Sequence, residues 1–151
     1  MAEIKISKRE MVISCGIVPV RFDNGTLLFL MLRSGSFFWD FPKGRKEEGE
    51  SDFDTAIRET REESTIKPEN LDFKWGKDYI ETEPFRKKKD KIGRYFVAET
   101  SQTEISLPVN PELGRPEHDE FRWMTYEDGL KLTNERIGKV LTWAYNKIKG
   151  T

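Results

Sequence analysis

Histidine and cysteine are almost absent from this chain of 151 residues, which contains one of each, His118 and Cys15. A single cysteine excludes an internal disulfide and is typical of a reducing compartment. The apolar neighbours of Cys15 predict a buried, unreactive thiol. Metal sites built on imidazoles usually need two or more histidines. Any metal site in this chain is therefore expected to rest mainly on carboxylates.

Long apolar runs and a strong net charge are also missing. No run of 18 apolar residues occurs, and the N-terminus lacks the apolar core of a secretion signal. The net charge of −1 produces no overall field that would draw the chain to nucleic acid or to a membrane. We therefore predict a soluble, cytoplasmic monomer with no membrane partner and no stable nucleic-acid complex. An anionic ligand would have to meet a local basic patch or a bound cation.

Aromatic and charged residues are plentiful, and together they suit a single globular domain. The chain has ten Phe, four Trp and four Tyr, and 35% of its residues are charged. That aromatic content is enough for one core under a heavily charged surface. We predict one domain over residues 1–151, with residues 1–10 as a flexible or edge segment.

The order of the apolar patterns predicts a mixed α/β layered domain. A helix capped by Ser51 and ending at Lys67 and Pro68 follows two early strands, and it buries Phe53, Ala56, Ile57 and Thr60. Thr125 is predicted to cap a later helix, and a last amphipathic helix follows. The predicted strands are 11–20, 27–32, 71–83, 92–100 and 121–125, with a hairpin turn at 23–25 and loops at 35–44 and 108–116.

Three glutamates in the first predicted helix share one side. Glu59, Glu62 and Glu63 stand at i, i+3 and i+4, so a helix presents them together. Mutual repulsion between them would be reversed by a hard divalent cation, which prefers oxygen ligands. Taken alone, the same spacing also fits a solvated acidic face in a chain rich in glutamate.

The surrounding residues extend this spacing into a longer motif. Glu50 precedes the helix, and Arg58 lies two turns later, so the pair is expected to join the loop to the helix through a bidentate contact. The whole pattern, Gly-x5-Glu-x7-Arg-Glu-x2-Glu-Glu, resembles the signature of the Nudix hydrolases. Thr60 and Thr65 depart from it, because the family pattern has a bulky apolar residue and a glycine there. The matching positions are Gly44, Glu50, Arg58, Glu59, Glu62, Glu63 and Ile66.

The resemblance implies an α/β/α sandwich with a mixed central sheet and hydrolysis of a phosphoric anhydride assisted by Mg²⁺ or Mn²⁺. It implies metal binding by Glu59, Glu62, Glu63 and Glu117. It assigns catalysis to Glu62, Arg58 and Glu117, with Glu117 acting either as a further metal ligand or as the base that deprotonates water.

Three further segments, residues 37–44, 95–98 and 117–123, resemble the asymmetric diadenosine tetraphosphate hydrolases within that superfamily. The implied substrate is a dinucleoside polyphosphate that is cleaved to a nucleoside triphosphate and a monophosphate. The implied substrate-binding residues are Lys43, Phe85, Lys88, Tyr95 and His118.

The roles of these binding residues rest on ordinary contacts with a nucleotide. Lys43 would touch a phosphate, the basic run 86–91 would neutralise the polyphosphate, and His118 would hold a phosphate or ribose. Tyr95 and Phe85 would stack on a base. The residue types alone also allow purely structural explanations. Tyr95 could be a core aromatic, His118 an exposed loop residue, and the lysines solvated surface residues.

Two other functions use the same features. One is hydrolysis of an inositol pyrophosphate or of the 5′ end of triphosphorylated RNA, because these reactions use the same glutamate motif. The other is a nucleotide-binding sensor that hydrolyses little. The presence of every carboxylate of the motif argues against this second function.

Overall fold

The computed structural model describes residues 11–35, 38–85 and 90–150. An eight-stranded mixed sheet forms the centre, with the main strand order β10-β2-β1-β7-β5, and β3, β4 and β6 pair with β2, β1 and β7. The strands are β1 Val12–Asp23, β2 Thr26–Ser34, β3 Phe38–Asp40, β4 Lys43–Arg45, β5 Leu71–Asp72, β6 Ile80–Glu81, β7 Lys91–Thr100, β8 Val109–Asn110, β9 Arg115–Pro116 and β10 Glu120–Met124; the helices are α1 Asp52–Ser64, α2 Tyr126–Leu132 and α3 Glu135–Lys149.

A tight hairpin and a parallel pair organise the sheet. Asn24 and Gly25 both have positive φ, as a two-residue hairpin turn requires, and this turn joins β1 to β2. Strand β1 then pairs in parallel with β7, which the chain reaches only after crossing through α1. The predicted turn at 23–25 and the early strands are confirmed.

Alternation along these strands divides the core into two layers. Cys15 and Ile17 of β1 lie on the side of α1, in a cluster with Ala56. Val18 and Val20 lie on the opposite side, in the cluster that contains Ile137, Val140, Leu141 and Ala144 of α3. Helices therefore cover both faces of the sheet, which confirms the predicted α/β/α sandwich. Burial also raises the pKa of the Cys15 thiol to about 12, in agreement with an unreactive side chain.

Local capping explains where the helices begin. The Ser51 hydroxyl accepts a hydrogen bond from the Asp54 N–H, and the Thr125 hydroxyl accepts one from the Asp128 N–H. Both predicted caps are confirmed. Helix α1 ends at Ser64, before the predicted stop at 67–68, because Thr65 takes a left-handed conformation with φ of 65°. Glycine usually fills such a position.

Several predicted boundaries are wrong. The strand expected over 71–83 is only β5 and β6, because a turn at Gly76, with φ of 106°, interrupts it. The expected loop over 35–44 contains β3 and most of β4, and the loop expected over 108–116 contains the β8–β9 hairpin. Such short edge strands have too few residues to show a periodic pattern.

Two further predictions concern membrane-spanning helices and residues that the structure does not describe. Within the described residues, no helix is long and apolar enough to cross a membrane. The predicted terminal segment 1–10 and Lys88 lie outside the described residues.

Candidate active site

The loop before α1 is fastened to the helix by a paired carboxylate and guanidinium. Arg58 Nε donates to Glu50 Oε2 at 2.7 Å, and Nη2 donates to Glu50 Oε1 at 3.0 Å. The Arg58 hydrogen bonds lower the pKa of Glu50 to about 2. Arg58 Nη2 also donates to the Arg45 carbonyl at 3.1 Å, so one side chain joins β4, the loop and the helix. The predicted bidentate contact is confirmed.

Arg58 also organises the glutamates that follow it. Its Nη1 donates to Glu59 Oε2 at 2.9 Å and to Glu62 Oε1 at 3.2 Å. The hydrogen bonds with Glu50, more than any other interaction, raise the pKa of Arg58 above its usual value. Its guanidinium is therefore a permanently charged group that holds carboxylates in place, which indicates a positioning role beside the predicted catalytic one.

The three helix glutamates have unequal surroundings. The Glu59 and Glu63 side chains are 14% and 8% exposed, whereas Glu62 is 57% exposed. Burial, with nearby Glu62 and Glu117, raises the pKa of Glu59, although Arg58 opposes the shift. Burial and the charge of Glu117 raise the pKa of Glu63 to about 9. The helical periodicity predicted that the three glutamates share one face. Only tertiary packing determined that Glu59 and Glu63 are buried while Glu62 is exposed.

Two glycines bring the β3–β4 segment close to these carboxylates. A Cβ at Gly44 would lie 2.0 Å from Glu59 Cδ, and a Cβ at Gly16 would lie 2.2 Å from the Pro42 carbonyl oxygen. The Lys43 N–H donates to Glu63 Oε1 at 3.1 Å. Absence of side chains at the two glycines therefore allows strand β4 to pack against both buried glutamates.

A second segment brings further donors to Glu63. Carboxylate oxygens of Glu63 and Glu117 and a ring nitrogen of His118 lie within 4.8 Å of one another. His118 is 7% exposed, and its Nδ1 lies 3.9 Å from Glu63 Oε1. Burial lowers the pKa of His118, which favours the neutral imidazole, and a neutral imidazole has one unprotonated ring nitrogen available as a ligand. The histidine is therefore buried at the site, and the alternative of an exposed loop side chain is wrong.

This donor set fits a divalent cation. Carboxylate oxygens dominate it, with one imidazole nitrogen, and the raised pKa of Glu63 reflects burial and repulsion that a cation would relieve. This group differs from the expected ligands Glu59, Glu62, Glu63 and Glu117. Within the described residues, His118 converges with Glu63 and Glu117, whereas Glu59 and Glu62 are not part of the group. Glu59 lies beside them, and Glu62 points to solvent beside Arg58.

The donors open onto a cleft of about 1240 Å³. Its far wall is the segment 107–112, which includes β8. From this wall Asn110 Nδ2 donates to Glu117 Oε1 at 3.4 Å. Sequence reasoning missed Asn110, because a lone asparagine in a proline-rich segment carries no recognisable signal.

Of the predicted substrate-binding residues, Tyr95 requires a correction. Its ring is fully buried in the core cluster with Phe41, and its hydroxyl donates to Asp40 Oδ1 at 3.0 Å. No ring face is available to a base, so the role as a stacking platform is wrong. The side chain points to the α3 face because β7 alternates, and the sequence could not show which face was covered.

Of the other predicted contacts, Lys43 lies beside Glu63, and Phe85 lies next to the side chain of Lys43. Lys43 stands next to Glu63 through its main chain, and its ammonium lies 5.8 Å from the centre of the Phe85 ring. Phe85 is half-buried. These two positions remain predicted substrate contacts.

Comparison with known proteins agrees with this geometry. The NUDIX domain family model matches residues 12–144. The asymmetrical bis(5′-nucleosyl)-tetraphosphatase of Mus musculus is 30% identical over 131 residues, which cover 79% of this chain and 82% of that protein. An RNA pyrophosphohydrolase of Shewanella pealeana is 27% identical over 104 residues, covering 62% of this chain and 60% of that protein.

A solved structure gives the same result for the fold. The crystal structure of a Caenorhabditis elegans Ap4A hydrolase binary complex is similar with a TM-score of 0.79 and 26% sequence identity. The match covers 93% of this chain and all of that one. Together with the glutamate-lined cleft, these matches show that the chain belongs to the Nudix family and is a hydrolase of phosphoric anhydrides.

Proposed function

We propose that this enzyme hydrolyses dinucleoside polyphosphates such as diadenosine tetraphosphate to a nucleoside triphosphate and a nucleoside monophosphate. The observation that carries the proposal is the convergence of Glu63, Glu117 and His118, beside Lys43, in a cleft of about 1240 Å³. Pockets for drug-sized ligands are usually about 300–1,000 Å³. A cleft of this size suits a substrate with two nucleosides and an extended phosphate chain.

The residues divide the chemical work. A divalent cation, Mg²⁺ or Mn²⁺, held by Glu59, Glu63, Glu117 and His118 would supply positive charge to the phosphoanhydride oxygens. Arg58 keeps Glu59 and Glu62 in place, and Lys43 would contact a phosphate. We assign Glu117 as the group whose carboxylate accepts the proton of the attacking water. The water oxygen bonds to phosphorus as the bridging P–O bond breaks.

A hydrolysis panel in Mg²⁺ tests the proposal. It compares diadenosine tetraphosphate, triphosphorylated RNA, an inositol pyrophosphate and ADP-ribose, with products identified by chromatography. Diadenosine tetraphosphate should give the highest kcat/KM and equal amounts of ATP and AMP. Two molecules of ADP, or no preference for this substrate, would refute the assignment.

Variants test the residues themselves. Glu117→Gln should lower kcat by about 100-fold or more, as loss of a general base does. Glu120→Gln is the matched control, because Glu120 follows the same loop but pairs with Arg33 and Arg122 at the surface. Equal effects of the two substitutions would remove the special role of Glu117. A wild-type chain that binds nucleotide yet turns over no substrate would favour the sensor.

RNA 5′-pyrophosphohydrolysis is the second candidate. The similarity to the Shewanella enzyme favours it. Release of pyrophosphate from triphosphorylated RNA with a higher kcat/KM than that for the dinucleotide would establish this alternative.

A further inference from the structure

Glu117 is an exposed carboxylate beside two buried ones. Burial, and after it the charge of Glu117, contributes to the raised pKa of Glu59 and of Glu63, so these carboxylates repel Glu117. An exposed side chain under such repulsion turns towards water unless another group holds it. Within the described residues, the Glu117 carboxylate has one hydrogen bond, which comes from Asn110 Nδ2.

The β8–β9 hairpin places Asn110 beside this carboxylate. Asn110 of β8 pairs with Arg115 of β9, and Glu117 follows β9 directly. Side chains two residues apart in an extended segment point to the same side, so Asn110 and Glu117 are diagonal neighbours across the hairpin. The Asn110 carbonyl accepts from the N–H groups of Leu113 at 3.0 Å and Gly114 at 2.9 Å, which closes the turn. The backbone therefore fixes the spacing between the two side chains.

The Asn110 amide is held at its other end as well. Its Oδ1 accepts from the Glu112 N–H at 2.9 Å, as in an Asx turn. Because the oxygen is engaged within the turn, the nitrogen is directed to Glu117 Oε1, at 3.4 Å. Catalytic hydrogen bonds are often this long before substrate binds. One amide therefore connects the turn of the hairpin to the carboxylate.

A neutral donor suits a carboxylate that must still react. An amide N–H restrains Glu117 without adding positive charge, so the carboxylate stays available to a cation or a proton. A lysine or arginine in the same place would form an ion pair, which would compete with both roles. The contact also engages Oε1 alone, so Oε2 is left for the reaction.

We propose that Asn110 is a positioning residue for hydrolysis, which holds the Glu117 carboxylate towards Glu63 and His118 from the far wall of the cleft. The inference rests on the role proposed for Glu117, and it is independent of which phosphoric anhydride is the substrate. Asn110 acts through Glu117 and does not contact the reacting atoms. Removal of a group that holds a metal-binding side chain typically changes metal affinity or activity by about 10–100-fold.

A double-mutant cycle with Asn110→Ser and Glu117→Gln tests the inference. Serine removes the amide donor and keeps an oxygen that can accept from the Glu112 N–H, so the turn should persist. With the panel substrate that has the highest wild-type kcat/KM, Asn110→Ser should lower kcat about tenfold, with KM within about twofold. In the Glu117→Gln background it should change kcat less than about twofold, because the carboxylate that Asn110 holds is absent.

Binding of Mn²⁺ without substrate gives a second measurement, by electron paramagnetic resonance. Asn110→Ser should raise the Mn²⁺ dissociation constant about tenfold in otherwise wild-type protein and less than about twofold in Glu117→Gln. Leu113→Ala is the matched control, because Leu113 lies in the same turn, is 49% exposed and is not among the described residues that line the cleft. The control should change kcat and Mn²⁺ binding less than about twofold.

Three results would overturn the positioning role: kcat and Mn²⁺ binding unchanged in Asn110→Ser, an equal loss in both backgrounds, or an equal loss in Leu113→Ala, which would indicate damage to the hairpin alone. Asn110→Asp keeps the acceptor of the turn and serves if the serine variant unfolds in less urea than wild-type protein.

The two proposals fail separately. Preference for another substrate, or a Glu117→Gln protein as active as wild type, would count against the proposed function. Wild-type kcat in Asn110→Ser beside a slow Glu117→Gln would count against the positioning role alone. If no panel substrate is hydrolysed, the Mn²⁺ cycle decides whether Asn110 acts through Glu117.

Discussion

Replacement of Glu63 by glutamine should make the metal-free protein more stable and abolish its response to metal. The wild-type carboxyl has a pKa of about 9 when folded, against 4.5 for an ordinary glutamate, because it is buried and faces Glu117. Between these pH values the unfolded chain releases the proton and the folded chain keeps it. Unfolding is therefore favoured increasingly as pH rises from 4.5 to 9.

The size of this loss in the free energy of unfolding at pH 7 follows from the interval between pH 4.5 and pH 7. At pH 7 the penalty is at most about 3 kcal/mol, at 1.36 kcal/mol for each pH unit. Glutamine cannot ionise, and its amide oxygen can still accept the hydrogen bond from the Lys43 N–H. In EDTA at pH 7 we expect Glu63→Gln to raise Tm by roughly 5–10 °C. This difference should shrink to zero as the pH falls towards 4.5.

Thermal unfolding followed by circular dichroism, at several pH values with and without Mg²⁺, checks the prediction. Wild-type protein should gain stability from Mg²⁺, and Glu63→Gln should gain little. Glu62→Gln is the control, because that side chain is 57% exposed and its replacement should change metal-free stability by less than about 0.5 kcal/mol. A destabilised Glu63→Gln at pH 8, or a difference that does not vary with pH, would refute the reasoning.

Four further substitutions test the packing around the site. Gly44→Ala should displace the Glu59 carboxylate, which a Cβ would meet at 2.0 Å, and should lower kcat about tenfold or more in a steady-state assay. Arg58→Lys should lose the bidentate contact, lowering kcat and costing about 1–3 kcal/mol in urea unfolding, and unchanged values would contradict the positioning role. Tyr95→Phe should cost about 1–2 kcal/mol without changing KM for the dinucleotide, whereas a raised KM would restore its predicted role in binding. Thr60→Val should stabilise by about 1 kcal/mol, because the buried Thr60 hydroxyl has no hydrogen bond with the described residues; a loss of stability would indicate a partner for it.

Thr65, one of the two departures from the family pattern, shows that tertiary hydrogen bonds can stabilise a helix end that lacks the usual glycine. Thr65 stands at the left-handed end of α1, where glycine would be unstrained. Its hydroxyl accepts from the Ser106 N–H at 3.2 Å, and its carbonyl accepts from Gln102 Nε2 at 2.9 Å. Residues far along the chain therefore hold a conformation that threonine disfavours. No pattern in the sequence could predict these partners.

The sequence by itself determined the helix with its Ser51 cap, the Glu50–Arg58 contact and the shared side of the three glutamates. Such features depend on spacing within one or two helical turns, where backbone geometry is nearly constant. Tertiary structure alone decided that Glu63 is buried while Glu62 is exposed, and that His118 meets Glu63. It also decided that Tyr95 lies in the core. Those outcomes depend on which elements cover each face, and on contacts between segments whose relative placement no local periodicity encodes.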